Sequence, residues 1–244
     1  LSTVDYAVVP TQWQCSQFPS IFRSSLNVIH EGIDTSLLSN LKTSPFQYPQ
    51  CFKYGPDIQI LTYVSRCFEE YRGFPQAGET ISILQAQRKN LHVLFVGQDG
   101  AAYGSNRSDG QGWSQWAKSN FKFDHDRTHW LGSLQESEYH QVLSVSDIHL
   151  YLTVPFVLSW SLLEAMAARC PIVASATPPV QEVLQNEVSA LLVDFFDVSA
   201  QVQAVNRLLD DRVLSSRLSV AASQKAHQYS IQKGFDAWNK LILL

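Results

Sequence analysis

Two arginines, Arg66 and Arg72 in the stretch VSRCFEEYRG, are the first residues whose type and spacing suit a chemical task. Both fall where an apolar run ending at Val64 gives way to a helical pattern beginning at Phe74. Two guanidinium groups at one strand end can clamp a diphosphate through bidentate, charge-assisted hydrogen bonds. The same spacing also describes solvated arginines paired with Glu69 and Glu70, and spacing alone favours that simpler reading. The second place is PFVLSWSLLEAMAA, residues 155–168. Ser159 is a good helix N-cap type. The backbone N–H groups near Ser159 and Trp160 would then lack helical partners and suit a phosphate. Glu164 sits among Leu162, Leu163 and Met166. A carboxylate there needs partners, and ribose hydroxyls would serve. Exposure to solvent or pairing with Arg169 explains Glu164 equally well. Gly97 closes the apolar run LHVLFV and is a weaker signal, since a glycine there often only makes a turn.

The elements that must position these groups follow a regular rhythm. Apolar runs at 58–64, 91–96, 128–131, 148–152, 171–175 and 190–193 read as strands. Helical spacing at 74–87, 138–146, 160–168, 180–184 and 199–209 falls between and after them. This alternation predicts an α/β, Rossmann-like, doubly wound parallel sheet with helices on both faces. Ligands of such sheets bind at the carboxyl ends of the strands, where both candidate places lie. Before this rhythm come a strand at 6–10, a short helix capped by Thr11, and a strand at 26–30. The polar, proline-containing stretch from Thr35 to about Gly55 reads as a linker, and 105–116 as a Gly/Ser-rich loop. The end of the chain, from about Leu214, reads as helical with a break near 229–234.

Several chemistries are disfavoured. No GxGxxG follows any predicted strand, which weakens a dinucleotide-binding reading. His30, His125, His129, His140 and His149 are scattered, and each reads as structural or surface. No Ser/His/Asp triad or paired carboxylates can be assembled. Trp113 and Trp116 are expected to anchor their loop. The net charge is −4 with no basic block, so no footprint for nucleic acid stands out. Cys15, Cys51, Cys67 and Cys170 show no metal-ligand spacing and are expected to be free, in a reducing, cytoplasmic setting. No apolar run reaches the roughly 18 residues of a membrane span. The first residues lack a basic region, so no signal peptide is expected. Met166 is the only methionine and the chain opens on Leu1, so a fragment or processed product is expected.

The ordered series VSRCFEEYRGFPQ, PFVLSWSLLEAMAARCPIVAS and LLVDFFD resembles the C-terminal, nucleotide-sugar-binding domain of retaining GT-B glycosyltransferases of the GT4 type. In that family a strand is followed by Gly-Arg and, past a short loop, by a lysine before glycine. Arg66 matches the arginine, and Arg72 before Gly73 the lysine. Glu164-Ala165-Met166-Ala167 matches the end of the family's two-glutamate motif, Val28 to Asp34 its interdomain linker, and Leu131-Gly132 the loop that lines the base. The resemblance implies that Arg66 and Arg72 neutralise the donor diphosphate, that Glu164 holds the ribose, and that Leu131 and Gly132 read the base. It implies a UDP- or GDP-linked sugar as donor, retention of configuration and no obligatory metal.

The implied division is residues 1–35 as a remnant of the N-terminal acceptor domain plus linker, 36–228 as the donor domain, and 229–244 as a helix crossing back. The acceptor (saccharide, lipid or other), any peripheral membrane association and the remaining polar residues near the transferred sugar would belong to the missing domain. The crossing helix, left without its partner, would be exposed, repacked or used in a homodimer. A fragment of this kind is expected to bind donor without transferring it. Phe156 stands where the first motif glutamate is expected, Ser159 where a glycine is, and Arg72 for lysine changes the geometry of the charge. A non-catalytic module with a degenerate site and a nucleotide-sugar epimerase are the alternatives.

Overall fold

A computed structural model describes residues 3–41, 55 and 57–243. Its first unit is a parallel pair, β1 (Ala7–Val9) and β2 (Leu26–Val28), joined by short helices α1 (Gln12–Ser16) and α2 (Ser20–Arg23). Thr11 caps α1, as its residue type predicts. The Glu182 carboxylate accepts from Gln12 N and Trp13 N at 2.8 and 2.7 Å, so an anion sits at the N-terminus of α1 and fastens this unit to the rest of the chain. The stretch read as a linker opens with a helix instead. Asp34 accepts from Leu37 N and caps α3 (Thr35–Ser39), and Leu38 is buried. Sequence composition hid α3 because its one buried leucine faces a distant helix. The rest of that stretch lies outside the described residues, apart from Gly55, and so does Cys51.

The main sheet takes β3 (Gln59–Cys67), β4 (Leu91–Gln98), β5 (Thr128–Gly132), β6 (Ile148–Tyr151), β7 (Ile172–Ser175) and β8 (Leu191–Val193). All pair in parallel, in the order β5-β4-β3-β6-β7-β8. The helices are α4 (Phe74–Gln87), α5 (Trp113–Asn120), α6 (Glu136–Ser144), α7 (Trp160–Ala167), α8 (Pro178–Val183), α9 (Val198–Asp210), α10 (Arg212–Ala226) and α11 (Ile231–Ile242). The strands read as continuous apolar runs because both faces are covered. Leu61, Val93, Phe95, Leu150 and Val173 meet Ile81 and Leu84 of α4 and Val205 and Leu208 of α9 on one face. Their neighbours Tyr151, Ile172 and Ala174 meet Leu163 and Met166 of α7 and Val180 of α8 on the other. Asp197, Asp211 and Ser230 cap α9, α10 and α11, each worth about 1 kcal/mol.

The strand order reverses direction between β3 and β6. Chains leaving these two strands diverge to opposite sides, which opens a crevice at their carboxyl ends. The reading of an α/β doubly wound sheet therefore holds, and the switch point is located by the pairing itself.

Two boundaries differ from the sequence reading. The loop at 105–116 ends early, because α5 starts at Trp113 and Trp113 is buried against Phe74. Gly and Ser dominated the composition there, while the helix is fixed by burial of Trp113 and Ala117. Strand β3 also runs on past Val64 to Cys67, so Arg66 lies in the strand rather than after it. At the far end, Ser230 separates α10 from α11 and bridges to Ile33. Gly234 packs on the carbonyls of His30 and Glu31, where a Cβ would lie 2.6 Å from each oxygen. Helix α11 leaves Ile231, Phe235 and Ile242 exposed along one stripe.

Candidate functional site

The register between β3 and β4 shifts between Val64 and Cys67. Ser65 is buried and its Oγ donates to Cys67 O at 2.8 Å, while Arg66 is exposed. A one-turn 3-10 helix, Glu70–Arg72, follows and ends on Gly73 at φ +64°. A side chain on Gly73 would sit 2.5 Å from Leu152 Cβ, so both conformation and space require glycine there. This tight turn swings Arg72 inward.

Arg72 is 6% exposed. Its Nη1 lies 3.2 Å from Tyr151 Oη, 3.1 Å from Thr153 Oγ1 and 3.0 Å from Val157 O, and donates to them. The guanidinium carbon stands 5.5 Å from the ring centre of Tyr103 and 5.6 Å from that of Phe156, within cation–π reach. Phe156 in turn meets Tyr71 and Tyr103 with centroids 5.8 and 5.0 Å apart. Among the described residues no carboxylate forms an ion pair with Arg72. Glu69, one of the two partners that spacing offered, is itself buried and accepts from Tyr103 N and Gly104 N. A buried cation with hydrogen bonds but no counter-charge is costly and calls for an anion.

Helix α7 supplies the opposite wall. Ser159 caps it, with Oγ accepting from Ser161 N, and Ser159 N donates to Tyr151 Oη at 3.1 Å. Tyr151 Oη therefore accepts from both Arg72 and Ser159. Burial, opposed by the Arg72 charge, raises its pKa, so the phenol keeps its own proton to donate. Arg66, Arg72, Tyr103, Tyr151 and Ser159 line one cavity of roughly 40 Å³ at the β3/β6 switch point. Three residues named from sequence thus converge, and Tyr151 joins them. Its signal was available in the sequence, as a single tyrosine closing the run IHLY.

The other named residues sit elsewhere. Trp160 is half exposed and its Nε1 donates to Glu31 Oε1 at 2.9 Å. Glu164 is partly buried, and its Oε2 accepts from Tyr139 Oη at 3.0 Å; among the described residues it forms no ion pair with Arg169. Gly132 adopts φ +67° at the end of β5 beside partly buried Leu131, and a Cβ there would meet open space. Gly97 is buried in β4 with φ +142°, and its missing side chain leaves room for Ser65 O. Its requirement is a close approach of two strands. Of the histidines, His149 is fully buried and shares a hydrogen bond with Thr62. Among the described residues no group of His, Cys, Asp and Glu is arranged to hold a metal ion. No described helix is long and apolar enough to cross a membrane.

A family model described as glycosyl transferases group 1 matches residues 53–225, which include both walls of this cavity. The chain belongs to the glycosyl transferases group 1 family. A second model, glycosyl transferase family 4 group, matches residues 1–38. No curated protein sequence matches the chain. Among solved structures the chain is similar to HepE of Anabaena in complex with UDP and glucose, at 16% identity and a TM-score of 0.76, covering 99% of this chain and 64% of that one. Sucrose-phosphate synthase from Thermosynechococcus elongatus gives 21% identity and 0.71, covering 100% and 59%. A glycosyltransferase from Rickettsia africae gives 14% and 0.74, covering 97% and 63%. At these identities the likeness establishes the GT-B type of fold. The chain spans about 60% of the length of these structures.

Within this group 1 domain, Glu164 carries a testable cost. Desolvation is the main cause of its raised pKa, and the Tyr139 hydrogen bond opposes it. A carboxyl whose pKa is higher folded than unfolded loses stability as pH rises from the unfolded value through the folded one. Above that window the loss is complete. Glu164→Gln is therefore expected to raise the melting temperature at neutral pH, with the gain shrinking as pH falls through the raised folded value and vanishing below the usual carboxylate range. Thermal melts at several pH values check this, and a variant less stable than wild type at neutral pH would refute it.

Proposed function

We propose that this chain is the nucleotide-sugar donor domain of a GT4-type glycosyltransferase. The carrying observation is Arg72: buried, hydrogen-bonded through Nη1, without an anionic partner among the described residues, and placed at the switch point beside Arg66 and the start of α7. The donor diphosphate supplies the missing negative charge. Arg66 and Arg72 neutralise it, and the Tyr151 hydroxyl, itself held by the Ser159 amide, and the Trp160 amide at the start of α7 add donors. Glu164 holds the ribose, and the backbone near Leu131 and Gly132 faces the base, with Gly97 as spacer between strands. Glycosyl transfer passes through an oxocarbenium-like transition state, so stabilising the departing diphosphate is the main electrostatic task.

The donor is a UDP- or GDP-linked sugar, and the HepE complexes with UDP and with UDP-glucose make UDP the first nucleotide to try. Transfer proceeds with retention and without an obligatory metal, in the cytoplasm. The acceptor is bound by a domain outside this chain, in line with the fraction of the solved structures that it spans. The chain by itself then binds donor and transfers nothing.

One observation favours a second reading, a non-catalytic module. The cavity at the switch point is only about 40 Å³, with Tyr103 in its lining, whereas nucleotide-sized ligands need roughly 300 Å³ or more. Donor entry has to widen it.

Calorimetric titration with UDP, GDP, ADP and NAD, beside Arg66→Ala, separates the readings. Arg66 is exposed, so its removal leaves the fold intact. Losing one charge-assisted clamp costs about 1.5–3 kcal/mol, or roughly ten- to a hundredfold in affinity. Binding of one nucleoside diphosphate that Arg66→Ala weakens in this way is the expected result. Failure of all four ligands to bind, or equal binding by Arg66→Ala, would overturn the donor assignment.

A further inference from the structure

The loop from 99 to 112, between β4 and α5, reaches back to the turn that carries Arg72. No residue from 98 to 112 is buried, and none belongs to a core cluster. A segment with so few apolar contacts is held by its polar ones and opens at low cost. Two hydrogen bonds tie it to the turn: Glu69, 2% exposed, accepts on Oε2 from Tyr103 N at 3.2 Å and from Gly104 N at 2.9 Å. The tie sets the ring of Tyr103 against the site, its centre 5.5 Å from the guanidinium carbon of Arg72 and 5.0 Å from the ring centre of Phe156. Gly100 at φ +135° and Gly110 at φ +74° bound the segment. A Cβ on Gly100 would come no closer than 3.9 Å to Cys67 Sγ, and one on Gly110 would meet open space. Their backbone is set by conformation and not by packing, so both ends have room to turn.

The cavity at the switch point, about 40 Å³, has room for little more than a water, so part of its wall has to move before a diphosphate enters. Tyr63, Arg72, Tyr151 and Leu152 are buried on or next to β3, β6 and the tight turn. Tyr103 lines the same cavity, is 46% exposed and hangs on the loop. Among the described residues the Arg72 guanidinium donates through Nη1 alone, and the Tyr103 ring lies against the same group. A ring and a phosphate compete for that cation, and the phosphate is the stronger partner because it carries full charge. We infer that Tyr103 is an autoinhibitory residue: it occupies the place beside Arg72 that a diphosphate needs, Glu69 latches it there, and donor entry swings the loop out. The inference rests on the donor reading above and adds a closed state to it.

Calorimetry and hydrogen exchange on the whole chain test it, with UDP and GDP as probes. Closed molecules do not bind, so the apparent affinity is the intrinsic one scaled by the open fraction. With about one molecule in ten open, Tyr103→Ala tightens the nucleotide about tenfold. The fold tolerates that change, since Tyr103 is exposed on a loop. Glu69→Gln puts a weaker acceptor in place of the carboxylate and should tighten binding by a smaller factor. In the wild type, saturating nucleotide is expected to speed exchange at the Tyr103 and Gly104 amides, which lose Glu69 on opening. A ligand that merely covered them would slow it. Wild-type affinity equal to or tighter than that of Tyr103→Ala would overturn the closed state and leave the donor reading in place. So would slower or unchanged exchange at these two amides. Failure of both nucleotides to bind either protein would end both readings. Tyr103→Ala decides the matter if Glu69→Gln fails to fold.

Discussion

Arg72→Met is expected to weaken nucleoside-diphosphate binding by about a hundredfold or more while leaving the melting temperature unchanged or raised. A bidentate contact between guanidinium and phosphate is worth roughly 3 kcal/mol or more, which sets the loss of affinity. Stability moves the other way because Arg72 has no counter-charge among the described residues, so folding bears the cost of its desolvation. Methionine keeps an unbranched stem between the rings of Tyr103 and Phe156. Few groups are stranded by the exchange. Tyr151 Oη still accepts from Ser159 N, and Thr153 Oγ1 still donates to Val154 O. Calorimetry and a thermal melt on one preparation measure both quantities. A large fall in stability, with affinity intact, would show that Arg72 is only a structural strut. Arg66→Ala, by contrast, loses affinity with little change in stability, since Arg66 is exposed.

Gly97→Ala is expected to cost about 4 kcal/mol or more, with loss of soluble protein as a frequent outcome. The added Cβ would stand 2.3 Å from Ser65 O and 3.0 Å from Phe68 Cε1, at φ +142°. Relief requires parting β3 from β4 at their register shift, where Phe68 N donates to Gln98 O at 2.9 Å. Phe68 stacks on Phe74 with centroids 4.5 Å apart and meets Phe95 edge-on, so the displacement would run into the centre of the core. Urea unfolding gives the number. An alanine variant with an unchanged midpoint would mean that Gly97 serves the ligand rather than the strand pair.

Glycine at this position illustrates what the sequence makes legible. It marks the end of a strand, yet which backbone approaches it depends on pairing with a segment thirty residues earlier. Strand and helix rhythm is local, and the helix Phe74–Gln87 was readable at both ends because Gly73 and Pro75 frame its start and its apolar spacing persists. The convergence of Arg66, Arg72 and Ser159 was also foreseeable, since a doubly wound sheet gathers strand ends on one edge. The inward turn of Arg72 was not. It rests on Tyr151, Thr153 and Val157, some eighty residues away, and on the ring of Tyr103 from another loop. The Tyr139 partner of Glu164 was hidden for the same reason, being two elements distant. Burial of Glu69 was equally invisible, because EEYR reads as a solvated charge cluster until the loop after β4 closes over it.

The junction of Ile33 with Tyr229 and Ile231 also orders events during synthesis. Ile33 N donates to Tyr229 O at 2.8 Å and Ile231 N to Ile33 O at 3.0 Å, joining segments roughly 200 residues apart. Every strand of the main sheet lies between them, so the sheet can be paired before α11 leaves the ribosome. The β1–β2 unit has emerged long before, and must wait through translation of the whole sheet for its partner. Its grip by Glu182 comes earlier than its closure by Gly234, so docking proceeds in two steps. In the interval the carboxylate of Glu182, at the N-terminus of α1, is what ties the β1–β2 unit to the sheet.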